Sequence, residues 1–208
     1  MGSAERWQAD RNKDWLKKIS VFPGVYEPAE DTWLLLDYIE FLGSIGKLRG
    51  AKFLEIGCGC GVVSIRAAML GADVLAVDIN PLAVENTIQN AKKLGVELRA
   101  KVSDLFSNVD GTFDVVVFNP PYIPENPFHP ASDPAWSGME DMRTVKTFLR
   151  GVPKHLREDG VFGIVLSSLS DVDSLIEYAK NVGIDLVKRS ARRFFFEEIY
   201  LLEGRRCL

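Results

Sequence analysis

Ten residues, Lys52-Phe53-Leu54-Glu55-Ile56-Gly57-Cys58-Gly59-Cys60-Gly61, commit this chain to an open α/β sheet. The first five form a short apolar run with one acid, the pattern of a strand covered on both faces. The glycines that follow permit a tight turn and a close approach of backbone to a ligand. They lead directly into an apolar stretch, 62–70, that reads as a helix.

The same alternation continues along the chain. A strand is expected over 73–77. Asn80 has the chemistry of an N-cap and Pro81 that of a first helical residue, opening a helix to about residue 94. Strands follow at 97–102 and 113–118, then an irregular Pro-rich segment at 123–138. Next come a helix over 143–156, a strand over 161–166, a helix over 172–181 and strands over 184–190 and 194–202. Upstream, residues 30–42 read as a helix. Residues 5–19 also look helical, with Trp7, Trp15, Leu16 and Ile19 on or near one face. The expected organisation is an N-terminal helical extension, 1–25, and one α/β domain, 26–208. Alternating strands and helices over this length imply a mostly parallel sheet with helices on both faces. The short connection between the last two strands makes them antiparallel neighbours. Such sheets bind ligands beyond the C-terminal ends of their strands.

The motifs of this chain fall at that edge. Gly57, Gly59 and Gly61 could belong to a dinucleotide fingerprint, but the spacing is Gly-x-Gly-x-Gly with an acid, Glu55, two residues ahead. In a nicotinamide site that acid would face a pyrophosphate over the helix N-terminus. It suits a cofactor with an amino group and a sulfonium, namely S-adenosylmethionine. Asp78 closes the next strand, 78 − 55 = 23 positions after Glu55, where a carboxylate can accept from both ribose hydroxyls. Its bland alternative is a helix-capping acid ahead of Asn80-Pro81. Asp104 can accept from an adenine amino group while Leu105 packs on the ring; a surface turn is the alternative.

Asn119-Pro120-Pro121-Tyr122 follows the apolar strand 113–118. Proline fixes φ and lacks an N–H, so this loop is rigid and its carbonyls join no regular ladder. The Asn119 side-chain oxygen and the Pro120 carbonyl can accept both hydrogens of one planar –NH2 group, with the Tyr122 ring stacked on its face. Alone, this would be a plain Pro-rich turn. After a buried strand, and downstream of the glycine loop, it is an acceptor site.

These residues carry a resemblance. From about Tyr26 to Leu202 the sequence resembles the class I S-adenosylmethionine-dependent methyltransferases, and within them the HemK-like protein-glutamine methyltransferases of release factors. The matching stretches include Tyr26-Glu27-Pro28-Ala29-Glu30-Asp31-Thr32, the glycine loop, Asp78-Ile79-Asn80-Pro81, Asp104-Leu105-Phe106 and Asn119-Pro120-Pro121-Tyr122. Trp136-Ser137-Gly138 with Asp141, and Leu166-Ser167-Ser168, continue it. The Tyr-x-Pro-Ala-Glu-Asp-Thr segment is most like the short archaeal and eukaryotic branch. One departure stands out: the family segment often reads Trp-x-Gly-Gly-x-Asp-Gly, and here Met139 and Met142 replace the second and third glycines.

The resemblance implies a Rossmann-like, seven-stranded methyltransferase sheet, mostly parallel with a C-terminal antiparallel strand. It implies methylation of the glutamine side-chain amide in the Gly-Gly-Gln motif of a class I translation termination factor. Expected partners are that release factor, together with its translational GTPase, and a small zinc-binding activator protein. Lysine is a substrate reported for eukaryotic relatives. Expected catalytic residues are Asn119, Pro120 and Tyr122. The acceptor is expected against Asn119, Pro120, Pro121, Tyr122 and Trp136. The cofactor is expected against Thr32, Glu55, Gly57, Gly59, Gly61, Asp78, Asp104, Leu105 and Asn119. Thr32 would meet the methionine carboxylate, while Glu30 and Asp31 complement their helix dipole.

Composition trims the alternatives. At 208 residues and 47% hydrophobic, the chain suits one domain with a full core. No apolar run approaches membrane-spanning length, and the first residues lack a signal peptide's apolar centre. Three cysteines and two histidines make neither a disulfide framework nor a metal cluster, and a reducing cytoplasm is expected. The same Asn-Pro-Pro-Tyr grip serves adenine-N6 and guanine-N2 methyltransferases of nucleic acids, but a net charge of −4 disfavours stable nucleic-acid binding. The basic groups at Arg150/Lys154/Arg157 and Lys188/Arg189/Arg192/Arg193 read as solvated faces. A non-catalytic cofactor-binding subunit is the remaining rival, and intact Asn119 and Tyr122 argue against it. The activator is expected to add its sheet at strand 73–77, read as an edge or near-edge element.

Overall fold

A computed structural model describes residues 14–121, 142–194 and 197–207. The expected site residues Tyr122 and Trp136 lie outside the described residues, as do the Pro-rich segment 123–138, Met139 and Asp141.

Among the described residues, seven strands form one sheet. They are β1 Lys52–Ile56, β2 Asp73–Asp78, β3 Arg99–Val102, β4 Phe113–Phe118, β5 Leu156–Ser167, β6 Ile184–Phe194 and β7 Glu197–Arg206. Their spatial order is β3-β2-β1-β4-β5-β7-β6. β3, β2, β1, β4 and β5 pair in parallel, and β7 runs antiparallel to both β5 and β6. Among the described residues five α-helices accompany the sheet: α1 Glu30–Ser44 ahead of β1, then α2 Val62–Met69, α3 Pro81–Leu94, α4 Arg143–His155 and α5 Val172–Asn181 between strands.

Side-chain alternation divides the apolar residues between two cores. Phe53, Val115, Val117, Val161 and Val165 face α1, α2 and α3, joined by Leu35, Ile39, Val63 and Ile65. Leu54, Ile56, Val116, Phe118, Phe162 and Ile164 face α4 and α5, joined by Phe148, Leu149, Val152 and Leu175. Central strands covered on both faces cannot alternate apolar with polar, and that is why they read as continuous apolar runs. α3 starts as its sequence requires: the Asn80 side chain accepts from Leu82 N at 3.0 Å and Pro81 follows.

The ends of several elements differ from expectation. β7 begins at Glu197, which pairs with Phe194, instead of at residue 194. No Gly, Pro, Asn or Asp lies between 190 and 202 to mark the turn. β5 starts early, at Leu156, and its register against β4 shifts between the Phe113 and Val115 pairs. The Arg-Glu-Asp-Gly stretch 157–160 reads as a loop but is carried inside that irregularity. In place of a helix through residue 19, the described part of the N-terminal segment holds one 3-10 turn, Leu16–Lys18. Trp15 and Val25 anchor it in the first core.

Strand β2 is near the edge, as expected, but its ladder is filled by β1 on one side and β3 on the other. The free edge on this side belongs to β3, so β3 is where an added strand could pair. Met142, one of the two residues standing where the family carries glycine, precedes α4 with φ 55. Its backbone therefore keeps the left-handed conformation that glycine adopts without steric cost.

Candidate active site

Parallel register brings four motifs to one edge. Asp78 pairs with Val102, Val77 with Ile56, and Ile56 with Phe118. The next residues of these strands, Ser103, Gly57 and Asn119, therefore stand with Asp78 across β3, β2, β1 and β4.

Glu55 projects from β1 toward α2 and is buried. Its Oε2 accepts from the Ser64 amide at 2.8 Å and from the Ser64 hydroxyl. Burial pushes its carboxyl from 4.5 to about 8; the Ser64 bonds oppose this, while the Asp78 charge adds to it. The result is a buried acid with one oxygen tied to the helix and no cation beside it among the described residues.

The glycine loop turns at positive φ three times, 70° at Gly57, 52° at Gly59 and 83° at Gly61. A Cβ on Gly61 would lie 2.7 Å from Thr87 Oγ1 and Cγ2, so that position is closed to any side chain. Among the described residues a Cβ at Gly59 would meet only Tyr26 O, at 3.9 Å, so these leave space open beside the loop. Cys58 and Cys60 are free and buried. Burial drives both thiols upward, Cys60 to about 12, so neither is a ready thiolate.

Asp78 holds the loop as well as facing the crevice. Its Oδ2 accepts from Gly59 N and its Oδ1 from Asn80 N, each at 2.9 Å. Burial raises its carboxyl despite these bonds. The ligand-acid and helix-cap readings thus describe one side chain with both capacities, since the backbone bonds from Gly59, Asn80 and Ile79 leave the carboxylate acceptor capacity to spare.

Asp104 is exposed, and its backbone amide is held by Ser107 Oγ at 3.1 Å. Leu105 has φ 45, a strained conformation for a leucine, and its carbonyl accepts from Ser103 Oγ at 2.8 Å. Phe106 fixes this turn from below, stacked on Phe148 at 5.5 Å and on His155 at 4.6 Å between ring centroids.

Asn119 carries the clearest signal. Its side-chain oxygen is buried and has no hydrogen-bond partner among the described residues. Such an orphaned acceptor costs about 1–3 kcal/mol, a penalty that a donor entering the crevice would relieve. Pro120 behind it is buried.

Thr32 is buried, and its hydroxyl donates to Asp31 Oδ1 at 3.0 Å. Asp31 in turn accepts from the Tyr26 hydroxyl at 2.8 Å. Asp31 is therefore a buried partner in a polar chain, in addition to an acid in the first turn of α1. Sequence reasoning missed Tyr26 in this role, and it missed Ser64, Thr87 and Asn90, which hold Glu55 and the glycine loop. For Thr87 and Asn90, polar residues at helical spacing in α3 were the available signal.

Comparison with known proteins places this architecture. The methyltransferase small domain family matches residues 32–183. A Methanocaldococcus jannaschii protein named as a protein N5-glutamine methyltransferase is 36% identical over 192 residues, covering 90% of this chain and 94% of that protein. The human methyltransferase HEMK2 is 33% identical over 194 residues, covering 88% of this chain and 90% of its own length. Among solved structures, the E. cuniculi Mtq2–Trm112 complex, described as responsible for methylating the eRF1 termination factor, aligns with a TM-score of 0.69 and 23% identity. That match covers 88% of this chain and 99% of the other, and it speaks to the fold.

Proposed function

This chain belongs to the methyltransferase small domain family as an S-adenosylmethionine-dependent enzyme, and from that premise we propose that it methylates the side-chain amide of glutamine in the Gly-Gly-Gln motif of a class I translation termination factor. The two relatives at 36% and 33% identity, one named for N5-glutamine methylation, support this reading. Within the site, the buried Asn119 oxygen, unpartnered among the described residues, carries it.

The residues present fit the cofactor. Glu55 offers a buried acid with an oxygen to spare, the Asp78 carboxylate keeps acceptor capacity beyond its backbone bonds, and among the described residues Gly59 leaves the space beside it open. In the proposed arrangement Glu55 and the Gly57-to-Gly61 loop hold the methionine part, Asp78 the ribose, and Asp104 with Leu105 the adenine. Thr32 reaches the methionine carboxylate if its hydroxyl turns from Asp31. S-adenosylmethionine supplies a methyl group on a positively charged sulfur.

The acceptor is the harder half of the reaction. An amide nitrogen is a poor nucleophile because its lone pair is delocalised into the carbonyl. Asn119 Oδ1 and the Pro120 carbonyl accept its two hydrogens, which raises electron density on nitrogen and fixes the plane of the group. Tyr122 and Trp136 are proposed to cover its faces and keep water out. Orientation supplies much of the rate, and preorganised acceptor dipoles supply the rest. No general base is required, because the proton can leave after the methyl group has arrived.

A small activator subunit is part of the proposal. The solved relative in complex with Trm112 supports it. So does the short β3 edge, which ends in exposed Val102, with Ile79 after the neighbouring β2 and Leu82 in the first turn of α3 also exposed. We place the partner at β3 instead of at β2, whose ladder is filled. Transfer of radiolabelled methyl groups to recombinant release factor, tRNA and DNA, with and without co-expressed activator, tests the substrate. Labelling of the release factor, lost when the Gly-Gly-Gln glutamine is replaced by alanine, is expected. Labelling of tRNA or DNA alone would overturn the proposal.

A further inference from the structure

Asn90 ties the glycine loop to the segment that crosses beside it. It lies fully buried on α3. Its Nδ2 donates one hydrogen to Cys60 O at 2.9 Å and the other to Ser20 O at 2.8 Å. Its Oδ1 accepts from Ser20 N at 3.0 Å and from Ser20 Oγ at 3.1 Å. Both donors and both lone pairs are used, so this amide is saturated.

Two more asparagines extend the attachment. Buried Asn86 accepts from Phe22 N at 2.9 Å and donates to Ser20 O at 2.8 Å. Asn80 Nδ2 donates to Gly24 O at 3.0 Å. Residues 20–24 are thereby strapped along α3. Two residues later the strap reaches Tyr26, whose carbonyl borders Gly59 and whose hydroxyl meets Asp31. The asparagines differ in what they touch. Asn86 and Asn80 bond only the strap here, apart from the Asn80 helix cap. Asn90 alone among them bonds both the strap and the glycine loop.

A loop with three glycines at positive φ has little conformational preference of its own. Its shape must come from outside contacts, and Cys60 O is one of the groups so held. Burying an amide on a helix face costs free energy unless every polar atom is satisfied. Here the satisfaction comes entirely from Cys60 in the glycine loop and Ser20 in the strap.

We propose that Asn90 is a positioning residue for methyl-donor binding, holding the glycine loop and the Ser20–Tyr26 strap at a fixed separation so that both close on the cofactor as one unit. The proposal rests on the assignment of the glycine loop to S-adenosylmethionine and is independent of which acceptor is methylated.

Calorimetric titration of S-adenosylhomocysteine into Asn90→Ala and Asn86→Ala, well below their melting temperatures, tests it. Asn90→Ala is expected to weaken binding by roughly tenfold or more, and Asn86→Ala by roughly two- to fivefold, within the range for buried hydrogen bonds. Turnover of Asn90→Ala at saturating S-adenosylmethionine should stay within about threefold of the unaltered enzyme, since the acceptor site is untouched. A folded Asn90→Ala that binds within about twofold of the unaltered protein would overturn the proposal, because a purely structural anchor predicts that result. Amide hydrogen exchange in the unaltered protein gives an independent reading should the variant not fold. Exchange at Ser20 and Phe22 should slow on adding S-adenosylhomocysteine, and unchanged exchange would overturn the coupling. An unaltered protein that bound no S-adenosylhomocysteine would instead remove the cofactor assignment, and the inference with it.

Discussion

Gly57 abuts the backbone of Asn119 across the adjacent ends of β1 and β4: a Cβ on Gly57 would stand 3.6 Å from Asn119 O and 3.5 Å from Phe118 Cε2. The glycine loop and the Asn119-Pro120-Pro121 loop are thus direct neighbours. Their proximity follows from one parallel pairing, Ile56 with Phe118. In the proposed mechanism this one strand pair carries the cofactor loop on β1 and the amide grip on β4, and so sets donor and acceptor side by side.

The glycine loop should respond to alanine in a graded way. Gly61→Ala meets both a φ of 83° and a contact of 2.7 Å with Thr87, and should cost about 2–4 kcal/mol of stability. Gly57→Ala meets a φ of 70° but only ordinary contacts, and should cost about 1–2 kcal/mol. Urea denaturation of the two variants checks the order. Equal losses would mean that the close approach at Thr87 relaxes freely.

Glu55 should make stability in the absence of cofactor depend on pH. Burial raises its carboxyl to about 8, from 4.5 in an exposed state. The folded protein therefore keeps this proton over a range where the unfolded chain has released it. Stability should fall as pH rises from about 4.5 to about 8 and level off above that. Asp78, also raised by burial, adds in the same direction at the acid end. Glu55→Gln should flatten the decline and weaken S-adenosylmethionine binding. A wild-type protein whose melting temperature did not fall between pH 5 and 8 relative to Glu55→Gln would show that Glu55 stays ionised.

Asp78→Ala should weaken cofactor binding by about 1.5–3 kcal/mol, the range for hydrogen bonds to a charged group. It should also lower stability, because Gly59 N and Asn80 N both lose their acceptor. The fold should survive, since the residue ends a strand. Unchanged affinity for S-adenosylhomocysteine in a destabilised variant would reduce Asp78 to a loop and helix anchor.

Charge placed at the β3 edge should separate partner binding from cofactor binding. Val102→Lys and Leu82→Glu alter exposed side chains. Each should reduce co-purification of a co-expressed activator while leaving S-adenosylhomocysteine affinity within about twofold. Undiminished co-purification of the double variant would move the partner to another face.

The order of strands and helices was legible because central strands covered on both faces cannot alternate apolar with polar, and because Asn80-Pro81 and the glycines mark helix starts. The start of β7 was not, because Arg192 to Leu202 contains no turn residue to separate the two strands. The Arg157–Gly160 stretch misled for the opposite reason: turn residues occur inside a register shift of β5. In the candidate site, residue types near strand ends pointed to Glu55, Asp78 and Asn119, and the parallel register sets them along one edge of the sheet. The residues that hold them were harder to see. Ser64 acts on Glu55 from nine positions away, and Asn90 reaches Ser20 across 70 positions, through side-chain contacts that no local pattern encodes. Val77 sits in the middle of three paired strands, so only the full sheet order could show that the free edge is β3.

Asn119→Ala separates the chemistry from cofactor binding. The turnover number and the S-adenosylhomocysteine dissociation constant of this variant should be measured together, with a Gly-Gly-Gln release factor as acceptor. Among the described residues Asn119 Oδ1 is buried and has no hydrogen-bond partner, and in the proposed arrangement it serves the acceptor while Glu55, Asp78 and Asp104 serve the cofactor. Turnover should fall by at least about 10²-fold, by analogy with loss of one preorganised dipole, and S-adenosylhomocysteine affinity should stay within about twofold. Retention of most of the turnover number would contradict the amide grip and leave Asn119-Pro120-Pro121 as a rigid turn at the end of β4.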